Sequence, residues 1–564
     1  MELQDINVHD GVEPKVEKNV EGANNDTNVG ERPMDTKETI NSQAIGNGGE
    51  QSRQTTTKDE RGVMKVEGAK AGKGEKRKKK STTRLKNKWS YFLTILGLSI
   101  SFLYYGYQLV AFGVVLNTLT TVMNWSDSQK NFYLILISCM VSGGNFIGSV
   151  LSPPLSHWIG RFKTILLMVI LAYIGSILSA IATVPTLIIG RLLANIPAGV
   201  FITIAPVIGR EISPKELHWF SSAFIPYFAG FGIFIGFIIA RGGPNMSQAD
   251  NQYWRFLNLF GIIPATITGL ILIFNTRGDS GKFLYNRYED EEGARKALAR
   301  VYKKEEVERE LEDIKKDSHA QEEKFSVSNL YRNYRKQIYL GLALGLSQVC
   351  AGLNYSGIYA YMMIERTERD AGAEKSSIKD TALLFTSFYG IAQVVGNTGS
   401  FFWLGKCRKK WLFAIIFGLS YLALGLNWLF GFVGLYTAQK YCLILTFFCS
   451  GAGIGQFNFL YSPNIMTGTA FSVVIGGFSF MRVIDTIVFP IIAGSAVKVR
   501  GTLLIYWAIG MVTSAYFLLK SVEIKGASKE DIYKHFNINA EETRVEEKAE
   551  MRIIKKILQR TMRR

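Results

Sequence analysis

Cysteine and histidine are scarce in this chain, with five of each among 564 residues. The cysteines are odd in number and mostly lie within apolar segments, and their spacing matches neither a metal site nor a disulfide framework. A nucleophile with its base, a Walker loop and a dinucleotide fingerprint are also missing. The sequence therefore predicts no enzyme, no metal site and no cofactor. The five cysteines are Cys139, Cys350, Cys407, Cys442 and Cys449.

Aromatic residues are nearly absent from the first 85 or so positions, which are rich in Asn, Gly, Glu, Lys and Thr. Such a segment cannot bury a core, so residues 1–88 are predicted to be a disordered cytoplasmic arm. No apolar run opens the chain, and we expect no cleavable signal peptide. The basic run KRKKK at Lys76 to Lys80 is expected either to bind anionic lipid or to act only as a stop-transfer charge cluster.

Apolar residues are abundant, at 48% of the chain, and they come in long blocks rather than at amphipathic spacing. Twelve of these blocks are long enough to cross a hydrocarbon layer of about 30 Å. Backbone groups in lipid need partners within their own segment, so each block is predicted to be a helix and the fold to be all-α and transmembrane. The predicted spans are 90–111, 131–153, 164–184, 186–208, 219–240, 256–274, 338–362, 381–404, 411–434, 438–460, 468–495 and 501–520.

The net charge of +18 is concentrated on one side of this topology. Lys and Arg gather in residues 73–88, in the connection after span six, in residues 406–410 and after residue 520, which places both termini in the cytoplasm by the positive-inside rule. This distribution argues against a nucleic-acid partner. The sequons at Asn124 and Asn245 fall in connections on the other side, and their glycosylation stays open.

Two polar connections look like one motif written twice. HWIGRFK at 157–163 follows span two, and LGKCRKK at 404–410 follows span eight. A repeat six spans apart predicts two related halves, with a substrate site at their interface. The resulting domains are the arm at 1–88, bundles at 89–275 and 338–521, a cytoplasmic helical linker at 276–337 and a cytoplasmic tail at 522–564.

The short polar stretch GREISPKELHW, residues 209–219, resembles the loop between spans four and five of the sugar porters of the major facilitator superfamily. Further motifs resemble that family in the family's order along the chain. They are YGYQ at 105–108, GR at 190–191, WR at 254–255, GDSGKFL with EEGARKAL in 278–298, QVCAGLN at 348–354 and VEIKGASKEDI at 522–532.

The resemblance implies a twelve-helix major facilitator fold of two pseudo-symmetric six-helix bundles that moves a small polar solute, a hexose first of all, by alternating access. In this family, charged groups at the cytoplasmic helix ends pair between spans and lock the outward-open arrangement. The resemblance gives that latch role to Arg161, Glu211 and Arg408. For Arg161 and Arg408 a purely topogenic role remains open.

Several positions depart from the family pattern. The fifth-helix glutamine falls on Pro226, the second glutamine of the seventh-helix motif is Val349, and the tenth-helix motif is reduced to GAGIGQF without tryptophan. These losses leave the sugar specificity open. A carrier for another polar solute, such as an amino acid, an organic anion or a nucleoside, would share the fold.

Amides inside membrane helices are costly unless they face the bundle interior, so they are the candidate solute ligands. Gln348 and Asn354 match the family's binding positions, and Gln393 lies within one residue of another. Gln456 and Asn458 in span ten and Gln108 in span one are further candidates. The alternative for each is an interhelical hydrogen bond worth about 0.6 kcal/mol.

Gln108 decides the expected mechanism. Proton-coupled members of the family carry an aspartate at this position, facing the fourth-helix arginine, here Arg191, whereas glutamine cannot titrate. We therefore expect facilitated diffusion. Arg482 and Asp485 stand three residues apart in span eleven, and they are either a self-neutralising pair or, with Asp485 as the proton acceptor, the coupling pair of a symporter.

Long tails leave a non-transporting nutrient sensor as a further alternative. The expected protein is a monomeric, multi-pass protein of the plasma membrane whose partners are the lipid bilayer and the solute.

Overall fold

The computed structural model describes residues 85–214, 217–242, 252–318, 327–352, 354–466, 468–525 and residues 532, 535 and 536. The basic run at Lys76 to Lys80, the sequon at Asn245 and most of the predicted arm and tail lie outside these residues. Within them the named elements are all helices, as predicted. They are α1 (Lys88–Val122), α2 (Asp127–Ile159), α3 (Arg161–Ser179), α4 (Val184–Ile212), α5 (His218–Gly242), α6 (Tyr253–Leu259), α7 (Ile262–Ile271), α8 (Gly281–Tyr288), α9 (Glu291–Val301), α10 (Lys304–Ser318), α11 (Val327–Cys350), α12 (Tyr355–Ile358), α13 (Ala360–Asp370), α14 (Lys375–Leu404), α15 (Lys409–Val433), α16 (Tyr436–Cys449), α17 (Gly455–Ile465), α18 (Gly468–Gly494) and α19 (Lys498–Lys520), with π-helical turns at Leu272–Thr276 and Ser450–Ile454.

These helices make twelve crossings, numbered as spans. Spans one to five are α1 to α5, span six is α6 with α7, span seven is α11 to α13, and spans eight and nine are α14 and α15. Span ten is α16 with α17, and α18 and α19 are spans eleven and twelve. Ten of the crossings in the described chain are long and apolar enough to pass a membrane by length and hydropathy alone. The other two are the interrupted span seven and α14, which carries the buried amides Gln393 and Asn397.

The prediction of one helix for each block did not include interruptions, and spans six, seven and ten are each divided into more than one helical element. Gly352, at φ +102°, ends α11 in a conformation that favours glycine. Gly453 leaves helical dihedrals inside the π-helical turn of span ten. Both glycines are buried against protein, which is where irregular backbone is tolerated at membrane depth. Breaks in spans seven and ten are typical of helices that surround a transport site.

Two element boundaries differ from the predicted ones. Span one continues to Val122 rather than residue 111, and α11 begins at Val327 rather than residue 338. The predicted linker therefore contains α8 to α10 and the first turns of α11. Buried residues of α9 and α10 pack into a small core of their own, including Leu298 and Leu311.

Each half of the chain forms a bundle. In the first, α1 packs on α5 and both α2 and α3 pack on α4; in the second, α11 packs on α18 and α19, and α15 packs on α16 and α19. Small residues permit the close approaches: a Cβ on Gly106 would lie 1.9 Å from the carbonyl oxygen of Ala229. The bundles meet where α2 packs on α18 and α5 packs on α14.

Contacts between the bundles occur toward both ends of the spans. We call the end that carries α8 to α10 the linker face and the other end the opposite face. Toward the linker face, the rings of Phe102 and Phe459 meet edge to face at 5.5 Å. Toward the opposite face, a Cβ on Gly113 would lie 2.4 Å from the carbonyl oxygen of Ile358. The bundles thus contact each other toward both ends of the spans.

Candidate functional site

A buried hydrogen-bonded network joins spans seven and eleven at Asn354. Nε of Arg482 donates to Oδ1 of Asn354 over 2.9 Å, and Nδ2 of Asn354 donates to Oδ2 of Asp485 over 2.6 Å. The break after Gly352 places Asn354 just before α12, with its side chain 0% exposed. The two charged groups of α18, which the sequence placed on one face, are joined through this amide.

This network lies at the interface between the bundles. Thr486, next to Asp485, shares a 2.6 Å hydrogen bond with Ser142 of α2. Cζ of Arg482 lies 5.3 Å from the ring centroid of Tyr105 in α1. The group that we call the interface triad, Arg482, Asn354 and Asp485, therefore contacts both halves of the molecule.

Gln348 reaches the break in span ten. Its amide nitrogen donates to the carbonyl oxygen of Ile454, at the end of the π-helical turn. Its Oε1 has no partner among the described residues, although the residue is 0% exposed. Gln348 is thus held toward the interior by one bond, and its buried acceptor remains available to a hydroxyl group.

Gln393 and Gln456 belong to a second polar group, centred on Asn397. Nε2 of Gln456 donates to Oδ1 of Asn397 over 3.2 Å, and Oε1 of Gln456 accepts from Ser400 over 2.9 Å. Nδ2 of Asn397 donates to the carbonyl oxygen of Tyr227 in α5, across the bundle interface, over 3.1 Å. Oε1 of Gln393 has no partner among the described residues.

Sequence reasoning missed Asn397, although its position one helical turn after Gln393 in α14 was a usable signal. Asn458 is placed apart from the group: its Oδ1 accepts a 2.6 Å bond from Ser462 of its own helix. The candidate amides of the second half are therefore divided between the interface triad, the break in span ten and the Asn397 group.

Gln108 and Arg191 contact each other in the first bundle, as the resemblance implied. Nη1 of Arg191 donates to Oε1 of Gln108 over 3.0 Å, and both residues are 1% exposed. The ring of Phe112 lies 5.6 Å from Cζ of Arg191. Nε and Nη2 of Arg191 have no partner among the described residues. A neutral amide is thus the polar partner of this buried cation.

On the linker face, Arg161 at the start of α3 forms an ion pair with Glu211 near the end of α4. Ser280 donates to the same carboxylate over 2.6 Å. Asp279, the residue before Ser280, accepts a 2.8 Å hydrogen bond from the backbone N–H of Phe162. Burial raises the pKa of Asp279 above its usual value, against the lowering effect of that bond. The Arg161–Glu211 ion pair thus joins two spans of one bundle, and Ser280, in the connection after span six, supports it.

The second half repeats the arrangement with different groups. The carboxylate of Glu523 accepts hydrogen bonds from the backbone N–H groups of Lys409 and Lys410, over 2.9 and 3.0 Å. Arg408, the predicted latch residue, is the exposed N-cap of α15. In each half, a carboxylate that follows the sixth span binds the first turn of the third span, where unpaired N–H groups and the helix dipole favour an anion. Sequence reasoning missed both acids, although both stand in family-like motifs.

Arg210, in the polar stretch 209–219, makes a contact that sequence reasoning did not foresee. Nη1 of Arg210 donates over 2.8 Å to the carbonyl oxygen of Pro463, near the end of α17. This bond crosses from the first bundle to the second on the linker face. It directly opposes separation of the bundles there.

Chemically, the interface offers neutral donors and acceptors together with one cation and one carboxylate. Side chains of this kind exchange hydrogen bonds with a hydroxylated solute without forming or breaking covalent bonds.

The chain is similar to known membrane carriers. It is 28% identical over 286 residues to the facilitated glucose transporter member 3 of solute carrier family 2 from Canis lupus familiaris, covering 49% of this chain and 54% of that protein. It is 24% identical over 452 residues to the glucose transporter GlcP of Staphylococcus epidermidis, covering 78% and 96%. The chain thus spans about half the length of the first relative and nearly all of the second.

The fold matches that of a solved major facilitator superfamily protein, the proton:xylose symporter XylE bound to 6-bromo-6-deoxy-D-glucose. The TM-score is 0.67 at 19% identity, over 79% of this chain and 99% of that one. This match confirms the predicted twelve-helix fold. Residues 93–536 match the family described as "Sugar (and other) transporter". The chain therefore belongs to the sugar transporter family of integral, multi-pass membrane proteins.

Proposed function

We propose that this protein carries a small polar solute, a hexose first of all, across a membrane by alternating access. The single observation that carries this proposal is the pair of buried polar groups where the two bundles meet, the interface triad and the Asn397 group. A solute bound between two bundles that rock about it meets each side of the membrane in turn. The names of the relatives, glucose transporters and a xylose symporter, support a sugar as the solute.

Gln348 and Asn354 are the proposed central ligands. Gln348 has a buried acceptor without a partner, and Asn354 is fully enclosed. A buried polar atom left without a bond costs about 1 to 3 kcal/mol, which a solute hydroxyl would recover. Gln393 and Gln456 of the Asn397 group are proposed to hold the part of the solute nearer to α5, and Gln108 the part nearer to α1. Asn458 is the remaining candidate ligand: its Oδ1 is bonded within its own helix, and its Nδ2 has no partner among the described residues.

Transport is proposed to be facilitated diffusion. Gln108 contacts Arg191 with a group that cannot take up a proton, so this pair offers no protonation cycle. The solute then moves only down its own gradient.

A proton-coupled cycle is the second candidate, and one specific observation favours it. The carboxylate of Asp485 is buried at the bundle interface and bonds directly to the proposed ligand Asn354. Ionisable groups inside a membrane protein mark proton relays in many carriers. In that case solute binding at Asn354 would alter the environment of Asp485, with Arg482 as the partner that tunes it.

The linker face is proposed to lie in the cytoplasm, with both termini, since the cations of the sequence concentrate there. Arg161 and Glu211 then act as a cytoplasmic latch, and Arg210 adds a bond between the bundles. The plasma membrane is the proposed location and the monomer the proposed state. Anionic lipid at Lys76 to Lys80 and a latch role for Arg408 complete the proposal.

Counterflow in proteoliposomes tests the function. Purified full-length protein is reconstituted in vesicles loaded with unlabelled D-glucose and diluted into labelled D-glucose. A carrier accumulates label transiently, and empty vesicles do not. If a panel of hexoses, pentoses, hexuronates and amino acids gives no counterflow, the carrier proposal is refuted.

A further inference from the structure

The guanidinium of Arg482 is enclosed but incompletely bonded. The residue is 1% exposed, its Nε donates to Asn354, and both Nη1 and Nη2 have no hydrogen-bond partner among the described residues. Buried arginines normally satisfy all of their donors, because an unpaired buried charge is costly. Two parallel unpaired donors of a guanidinium match the two oxygens of a carboxylate.

The position of Arg482 is that of a solute contact. It belongs to α18 of the second bundle, and the face of its guanidinium lies over Tyr105 of the first bundle at 5.3 Å. The ring of Phe478 lies at 5.7 Å on its own helix. Cation–π contact with these two rings stabilises the cation partially. Since Tyr105 and Arg482 lie on different bundles, movement of the bundles would uncover the two free donors.

The buried charges of the spans sum to a positive excess, to which Arg191 and Arg482 both contribute. Away from helix ends, the buried charged side chains of the described chain are Arg191, Arg482 and Asp485. The resulting excess is one positive charge. Asp485 is tied to Asn354, and the polar partner of Arg191 is the neutral Gln108. A solute with one negative charge would neutralise the excess.

We propose that Arg482 binds the carboxylate of an anionic solute, so that the carried compound is a sugar acid rather than a neutral hexose. Asn354 and Asp485 are positioning residues in this proposal, because Asn354 holds Nε of Arg482, Asp485 holds Asn354, and both Nη donors are left free. The inference rests on the proposed function, since it requires a solute between the bundles.

The matched probes are D-glucuronate, D-glucose and D-glucuronamide, which differ only in the group at carbon six. Binding to the purified full-length protein is measured by titration of its thermal unfolding midpoint. We expect the dissociation constant for glucuronate to be at least tenfold lower than those for glucose and glucuronamide. Equal or tighter binding of the two neutral probes, or no binding of glucuronate, overturns the inference.

Two variants connect that preference to Arg482. Arg482→Gln removes the charge but leaves Asp485 buried, so the double variant R482Q/D485N, which removes both charges, covers the case in which the single variant fails to fold. Both should lose the preference for glucuronate over glucose and glucuronamide. Arg309→Gln, at an exposed position of α10, is the matched control and should keep the preference. If the preference survives in both Arg482 variants, Arg482 is not the anchor.

Counterflow separates this inference from the proposed function. Counterflow of labelled glucose that unlabelled glucuronate does not inhibit would leave the carrier standing and overturn the sugar-acid inference. If neither compound shows counterflow although glucuronate binds through Arg482, the carrier proposal fails while the binding site stands.

Discussion

Oδ2 of Asp485 accepts a 2.6 Å hydrogen bond from the amide of Asn354, which ties span eleven to the break in span seven. The same amide accepts from Nε of Arg482 over 2.9 Å. Every change at Asn354 therefore acts on two buried charges as well as on a solute. A variant at Asn354 must therefore be compared with a control variant that alters stability but not the solute site.

Replacing Asn354 with Ala is expected to weaken solute binding by about 1 to 3 kcal/mol, because a buried hydrogen bond is lost. Equilibrium binding to the purified variant measures this. Asn427→Ala is the matched control, since Asn427 bonds the carbonyl oxygen of Gln439 over 2.8 Å within the second bundle. Both variants should be less stable, but only N354A should lose affinity. Unchanged affinity in N354A would make Asn354 a structural amide.

Collapse of the proton gradient should leave initial uptake unchanged if Gln108 removes proton coupling. Uptake into proteoliposomes with and without an uncoupler measures this. Strong inhibition by the uncoupler would contradict facilitated diffusion, and Asp485→Asn would then abolish the uncoupler-sensitive part. The control is a vesicle with no imposed proton gradient, in which an uncoupler should not change the initial uptake by wild type or by the Asp485→Asn variant.

Glu211→Gln should shift the protein toward opening on the linker face, because the ion pair with Arg161 and the bond from Ser280 both depend on the carboxylate. Distances between spin labels across that face measure the populations. Glu308→Gln is the matched control, since Glu308 pairs with Arg295 on the exposed surface of the linker helices. Identical populations in E211Q and wild type would remove the latch role.

Arg210→Gln should produce a shift in the same direction, by loss of the bond to the carbonyl oxygen of Pro463. Of the two linker-face contacts, this one crosses between the bundles, so we expect its effect on the distance distribution to be the larger. A larger shift in E211Q than in R210Q would contradict that order. Membrane insertion should be normal in both, since neither side chain lies at mid-depth.

Glu523→Gln should lower thermal stability at neutral pH by about 1 kcal/mol, the usual size of a helix-end contact. Burial alone would raise the pKa of Glu523, but backbone N–H groups of Lys409, Lys410 and Lys525 donate to the carboxylate and lower its pKa. A carboxyl with a lowered pKa stabilises the fold above its unfolded value, near 4.5, and this contribution is lost as the pH falls through the folded value. The difference between E523Q and wild type should therefore shrink below pH 4.5. A constant difference across that range would contradict the contact.

Much of the architecture follows from the sequence, because lipid demands long apolar helices and positive charge sorts their ends. Twelve spans in two halves, the contact of Gln108 with Arg191 and the pairing of Arg161 with Glu211 all lay within reach of motif and pattern. The breaks in the helices of spans seven and ten could not be predicted in this way. The residue types around Gly352 do not mark where the helix ends, because only packing against other spans decides where its backbone leaves the helix.

The bridging role of Asn354 was equally out of reach. Spacing in span eleven placed Arg482 and Asp485 on one face, but the amide between them comes from a span more than a hundred residues away. Hydrophobic patterning fixes which segments are buried and not how each helix is rotated about its axis. Glu523 and Arg210 were missed for the same reason, since each acts on a segment distant in sequence.

A density map of the full-length protein with D-glucose and, separately, with D-glucuronate tests the central claim most directly. The account predicts solute density between the bundles, in contact with Gln348 and Asn354, with a carboxylate placed against Nη1 and Nη2 of Arg482. Density elsewhere, or Gln348 and Asn354 turned outward into lipid, would contradict it.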